Sequence, residues 1–216
     1  MGEMVACLRG WHPALAHAEL QALLPEATLS PTPSKRWWVV AASTEQQRRD
    51  ALSVASGLQC FLREAVVSTV SKEDHEAWLE RIRVYVEQHP VEGTVAVRSW
   101  KQGPKLEGWG PTTLAKRLGG LLHDLGYAVD LEEPDHMLGL ITDAETASVV
   151  CGWMEGDGQA AFSNGERRAG ERPFFKPVSL DPMLARLAVN LATGPLSQGP
   201  VVDPMTGTGE IGRAHV

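Results

Sequence analysis

The feature that most narrows the fold of this chain is the order in which hydropathy periods change over residues 1–70. "MVACLRG" is β-prone, and "WHPALAHAELQALL" follows, with Pro13 suited to a first helical turn and Leu15, Ala18 and Ala22 on one face. "ATLSPTP" is a short strand that Pro31 and Pro33 confine to a sheet edge. "RWWVVAAS" reads as a buried strand. "TEQQRRDALSVASG" reads as a helix opened by Thr44 and Gln47 in capping-box spacing and closed on Gly57, and "LQCFLREAVVSTV" as one more strand. The order is βαββαβ, the α+β arrangement of a ferredoxin-like domain.

A second unit spans residues 71–156. "SKEDHEAWLERIRVYVEQH" is a helix with Ser71 as cap and Trp78, Ile82, Tyr85 and Val86 on its apolar side. "GTVAVRSWKQ" is a strand running into the glycine-rich "GPKLEGWGP", and "TTLAKRLGGLLHDLG" is a helix that ends at Gly126. "YAVDLEEPDHMLGLITD", broken at Glu133-Pro134, and "ASVVCGWMEGD" are strands, giving a small mixed α/β module. Residues 157–176 lack periodicity and read as a linker or docking loop. "SLDPMLARLAVNLA" is a helix with Ser179 as cap and Leu184, Leu187, Ala188 and Leu191 at helical spacing, and "PVVDPM" is a strand feeding "TGTG".

Composition excludes several classes. No run of about 18 apolar residues is present to span a bilayer, and the N-terminus lacks a secretion signal, so no membrane role and a cytoplasmic location are expected. Cys7, Cys60 and Cys151 are far apart and lack metal-type spacing, as do the histidines, so no metal site is expected and the cysteines read as small buried hydrophobes. The net charge of −7 is not that of a polybasic chain, yet residues 98–117 carry Arg98, Lys101, Lys105, Lys116 and Arg117 against the single acid Glu107. Trp100 and Trp109 interleave with them, a pattern suited to gripping phosphates and stacking bases. A solvated rim is the plainer reading of such a cluster. Arg167 and Arg168 read as loop charges that meet RNA or a neighbouring domain.

The segment "VVDPMTGTG" places Asp203 and Pro204 at a strand end, before Gly207, Thr208 and Gly209. Glycines let backbone amides approach a ligand, and a carboxylate there can hold a cationic or hydroxyl group. Neither the full dinucleotide spacing nor a P-loop lysine is present. By itself this segment is equally an ordinary strand-to-loop turn.

Two further stretches carry a resemblance. Arg172-Pro173-Phe174, Pro177, Ser179-Leu180, Ala185-Arg186, Asn190-Leu191 and Asp203-Pro204-Met205-Thr206-Gly207-Thr208-Gly209 resemble the start of the catalytic domain in THUMP-containing RNA guanosine N2-methyltransferases. "VAVRSWKQ" and "YAVDLEEPDHMLGLI" resemble the two hallmark pieces of a THUMP domain, and "LRGWHPALAHAEL" the first strand and helix of the small domain preceding it. The archaeal tRNA guanosine-10 N2-methyltransferases are the subgroup it resembles most.

The resemblance implies a ferredoxin-like domain over residues 1–70, a THUMP RNA-binding domain over 71–156, a linker over 157–176 and the start of a Rossmann-like class I methyltransferase domain over 177–209. It implies S-adenosylmethionine as cofactor, lying over Gly207, Thr208 and Gly209 with Asp203 facing its ammonium group, and tRNA as partner. The family's Asp-Pro-Pro-Tyr type catalytic motif is absent from the sequence, so no catalytic residue is assigned. Residues 210–216, "EIGRAHV", have no family counterpart and back-translate to a sequencing-library adapter. The expectation is therefore an inactive N-terminal fragment with a non-native tail. A non-catalytic THUMP module and an rRNA methyltransferase stay open. A thiouridine synthase would need a Ser-Gly-Gly loop, and a DNA amino-methyltransferase would not explain the Val-Arg strand.

Overall fold

The computed structural model describes residues 3–9, 12–158, 180–195, 200–204, 207, 209, 211 and 212. The chain begins with β1 (Met4–Leu8), α1 (Pro13–Leu23), β2 (Thr28–Pro31), β3 (Trp37–Ala41), α2 (Glu45–Val54) and β4 (Leu58–Thr69). These strands lie in the order β2-β3-β1-β4, each antiparallel to its neighbour. Pro31 sits on the edge strand, where a missing N–H costs no ladder bond. The α2 capping box forms: the Thr44 hydroxyl accepts the Gln47 amide at 3.2 Å and the Gln47 side chain accepts the Thr44 amide at 2.8 Å.

The buried stripe of α1 differs from the one expected. Ala16, Glu19, Leu20 and Leu23 face inward, and Leu15 is 37% exposed. The acid at position 19 hides this stripe in the sequence, because a carboxylate with enough donors can occupy a core position that hydropathy would deny it.

The second unit comprises α3 (His75–Gln88), β5 (Thr94–Gln102), α4 (Pro111–Asp124), β6 (Ala128–Val129), β7 (His136–Asp143) and β8 (Ser148–Glu155). α3 starts at His75 rather than after Ser71, because the Asp74 carboxylate accepts the Ser71 amide at 2.6 Å and closes a turn first. That bond holds the Asp74 carboxyl below its ordinary pKa. α4 ends as expected on Gly126, whose φ of +89° allows its amide to reach His123 O at 2.9 Å and the Tyr127 amide to reach Leu122 O at 3.0 Å. β5 runs parallel to β6 and β7, and β7 and β8 form an antiparallel hairpin.

β4 also pairs antiparallel with β8, so the two units share one eight-stranded sheet in the order β2-β3-β1-β4-β8-β7-β5-β6. The seam carries a bulge: Arg63 opposes Trp153 and Val66 opposes Cys151, with Glu64 in the left-handed region at φ 42°. The Tyr85 hydroxyl on α3 bridges this interruption, donating to Arg63 O at 2.6 Å and accepting the Trp153 amide at 2.9 Å. Burial raises the pKa of this phenol. Across the bulge, a Cβ on residue 152 would lie 2.8 Å from Ala65 Cβ, so only glycine fits there.

The helices α1 to α4 cover one face of the sheet. The other face gathers Val5, Cys7, Trp37, Cys60, Leu62, Ile141 and Val150. Gln102 Nε2 donates to Leu8 O at 2.5 Å and Trp37 Nε1 to Gln102 Oε1 at 2.8 Å. β1 and β5 are four places apart, about 19 Å in a flat sheet, so the sheet must curl until this face closes on itself. Ser34 and Arg36 tie into the same closure, bonding Asp143 at 2.5 and 3.2 Å. All three cysteines are buried free thiols, and burial raises the pKa of Cys7 and Cys151.

α5 (Pro182–Thr193) rests on α1. Asp181, not Ser179, caps it, accepting the Met183 and Leu184 amides at 2.8 and 3.4 Å; Ser179 lies outside the described residues.

Tyr85→Phe should leave the Arg63 carbonyl and the Trp153 amide without their partner and lower stability by about 1–3 kcal/mol. The shift in urea midpoint at unchanged m-value reads this directly.

Candidate functional site

The glycine loop stands over α5. Gly207 and Gly209 have φ values of +49° and +78°, a conformation in which a side chain is strained, and space around the Gly209 α-carbon is open. Ile211 then returns to pack on Ala185 and Val189 of α5. Asp203 is half-buried at the base of the loop and Pro204 is exposed; Thr208 lies outside the described residues. The strand expected at residues 201–203 is not formed. A strand needs a neighbour to pair with, and among the described residues the sheet ends at β2 and β6, away from this segment.

Arg98, Lys101, Lys105, Lys116 and Arg117 are all exposed, but strand alternation divides them. Arg98 and Trp100 share the β5 face turned from α4, whereas Lys101 follows Val95, Val97 and Ser99 on the α4 side. Arg117 turns to α3, where it pairs with Glu76 and lies 3.5 Å from His75 Nδ1. Lys105 sits over the start of α4, its Cε 3.8 Å from where a Cβ on Gly110 would be. Arg167 and Arg168 lie outside the described residues.

The two tryptophans also part company. Trp109, expected to offer a stacking surface, is 1% exposed and donates its indole N–H to Ser71 O at 2.8 Å. Its ring meets Trp78 edge-on at 5.5 Å. It is a core pillar that pins the 103–110 loop to α3, and a fully enclosed ring cannot stack on a base. Trp100 is half-buried against Met154 and Gly158, and its indole nitrogen has no partner.

A groove of about 310 Å³ lies between α4, β5 and β6. Val97, Ala115, Val129 and Leu131 form its apolar walls, and Ser99 and Lys116 supply polar groups. Leu131 is 79% exposed. An apolar slot with a cation at its lip suits a flat base followed by a phosphate. Sequence reasoning found Lys116 but missed Val129 and Leu131, whose signal is two apolar residues two apart, one closing the short edge strand β6 and one just beyond it. At the foot of the groove Asp135 accepts the Thr94 amide and hydroxyl at 2.8 and 2.9 Å, which keeps its carboxyl below the ordinary value and fixes where β5 begins.

Among the described residues no group of three or more His, Cys, Asp or Glu is placed to hold a metal, and no helix is long and apolar enough to cross a membrane. His17 stacks on Trp38 at 3.9 Å, and burial lowers its pKa.

No protein-family model matches the chain. Over 102 residues it is 34% identical to the tRNA (guanine(10)-N2)-dimethyltransferase of Pyrococcus abyssi, covering 44% of this chain and 27% of that protein. Its fold is shared with TrmN from Thermus thermophilus, at a TM-score of 0.59 and 22% identity over 99% of this chain and 61% of that one. A candidate methyltransferase solved in complex with SAH gives a TM-score of 0.54 at 12% identity, covering 97% of this chain and 53% of that one. The chain thus spans about a quarter of the length of the curated relative and somewhat over half of these structures.

Trp109→Ala should cost about 3–5 kcal/mol of stability as a core cavity. Trp100→Ala should cost less. Thermal unfolding of the two variants separates the pillar from the partly exposed ring.

Proposed function

We propose that this chain, a member of the THUMP-type tRNA methyltransferase family, is the RNA-gripping and cofactor-loop portion of an enzyme that methylates the exocyclic amine of a guanine in tRNA. The observation that carries this reading is the 34% identity to the tRNA (guanine(10)-N2)-dimethyltransferase. In this reading residues 1–70 are the ferredoxin-like domain, 71–156 the THUMP domain, 157–176 a linker and 177–209 the opening of a Rossmann-like domain, and the protein works in the cytoplasm.

S-adenosylmethionine would supply an electrophilic methyl group on sulfur. The chain's part is to hold it. Gly207 and Gly209, at φ +49° and +78°, take up this turn without the strain a side chain would bring, and Asp203 would bring its carboxylate to the ammonium group. Pro204 and Thr208 would join them in meeting the cofactor.

The β5–α4 region grips the RNA. Lys101, Lys105 and Lys116 on one side and Arg98 with Trp100 on the other would engage phosphates and an unpaired base, with Arg117 tempered by its pairing to Glu76 and with Arg167 and Arg168 adding to the grip. The guanine must leave its stack to be reached, and holding the flanking RNA helps keep it out.

Binding of bulk tRNA should weaken linearly in log affinity against log salt, and Lys101→Ala and Lys116→Ala should each lower that slope by about one. Filter binding across a salt series makes the measurement. A flat salt dependence would overturn the assigned surface.

A further inference from the structure

The residues of α5 that carry the family resemblance direct their polar groups at the N-terminal unit. Asn190, 2% exposed, donates its side-chain amide to Glu19 Oε1 at 2.6 Å and to Val54 O at 2.9 Å. Arg186 Nε donates to that same carbonyl at 3.1 Å. Val54 is the last residue of α2, where helical carbonyls lack partners of their own, so α5 supplies donors that this helix end needs.

Glu19 is 0% exposed. Besides Asn190, its Oε1 accepts the Ser56 amide and hydroxyl, both at 3.0 Å, and its Oε2 accepts the Gly57 amide at 2.7 Å. A carboxylate is an acceptor with room for about four such bonds, and here four are made, three at Oε1 and one at Oε2. The fit demands glycine at 57, where a Cβ would come within 2.7 Å of Ala16 Cβ. One buried carboxylate therefore ties together α1, the α2–β4 turn and α5.

We propose that Glu19, Asn190 and Arg186 are positioning residues that lock α5 to the N-terminal unit. Because Ile211 packs on Ala185 and Val189, the lock extends to the glycine loop and sets it in fixed register with the RNA-gripping half. The value of that register for methyl transfer rests on the function proposed above. The lock itself does not.

Amide hydrogen exchange on the whole chain tests it, with Asn190→Asp and Asn190→Ala. Asn190→Asp keeps the side-chain volume and removes both donors, whereas Asn190→Ala also removes volume. In both variants α5 amides and those of Ile211 and Gly212 should exchange about tenfold faster or more, with β1 and β4 amides and tRNA affinity unchanged. Unchanged α5 exchange in Asn190→Asp overturns the proposal, and so does acceleration in Asn190→Ala alone, which would assign the docking to packing. Equal loss of protection in β1 and β4 overturns it too, since the residue would then serve the fold at large. If wild-type chain fails to bind tRNA, the functional reading falls while the exchange result still decides the lock.

Discussion

Everything else in this structure depends on β4 pairing with strands on both of its edges. One edge completes the βαββαβ unit through β1, and the other receives β8 and with it the whole second unit. A strand used twice must reconcile two registers, and the bulge at Arg63 to Val66 is where it does so. The reconciliation would strand a carbonyl and an amide inside the protein. Tyr85 satisfies both with one hydroxyl, which makes α3 the brace of the seam.

The same seam explains the curl. With the described helices α1 to α4 on one face, the sheet bends until Gln102 reaches Leu8 and Asp143 reaches Ser34 and Arg36. These are buried polar contacts between segments far apart in the sheet order, and they are partnered except at Arg36 Nε. Arg36 also pairs with the exposed Glu145, whose carboxyl is held below its ordinary value by that guanidinium. The closure leaves β5 and α4 with their outer flanks free, which is where the proposed RNA grip lies.

Much of the secondary structure was legible because local signals and tertiary demands agree: Pro31 on β2, the Thr44 capping box, Gly126 after α4 and the Glu133-Pro134 break all sit where backbone chemistry requires them. What was hidden is polar and long-range. Glu19 looks like a surface residue until Ser56, Gly57 and Asn190 arrive from up to 171 positions away. Gln102 and Asp143 look like strand-end polar residues until the sheet curls. Trp109 misleads for the opposite reason, since a glycine-rich basic context suggested display whereas Trp78 and Ser71 enclose it. Of the candidate site, the left-handed glycines were readable from residue type, and the splitting of the basic cluster between two faces was readable only once β5 had a strand phase.

The RNA-facing flank proposed on β5 and α4 and the glycine loop that packs on α5 are joined through the N-terminal unit, on which α5 rests. The most direct test is ultraviolet crosslinking of the chain to a tRNA transcript, with the attached peptides identified by mass spectrometry. Crosslinks concentrated within residues 94–131, including the β5 and α4 peptides, are the predicted result. Crosslinks confined to α1, β2 or α2 would contradict the account and move the RNA to the other half of the sheet.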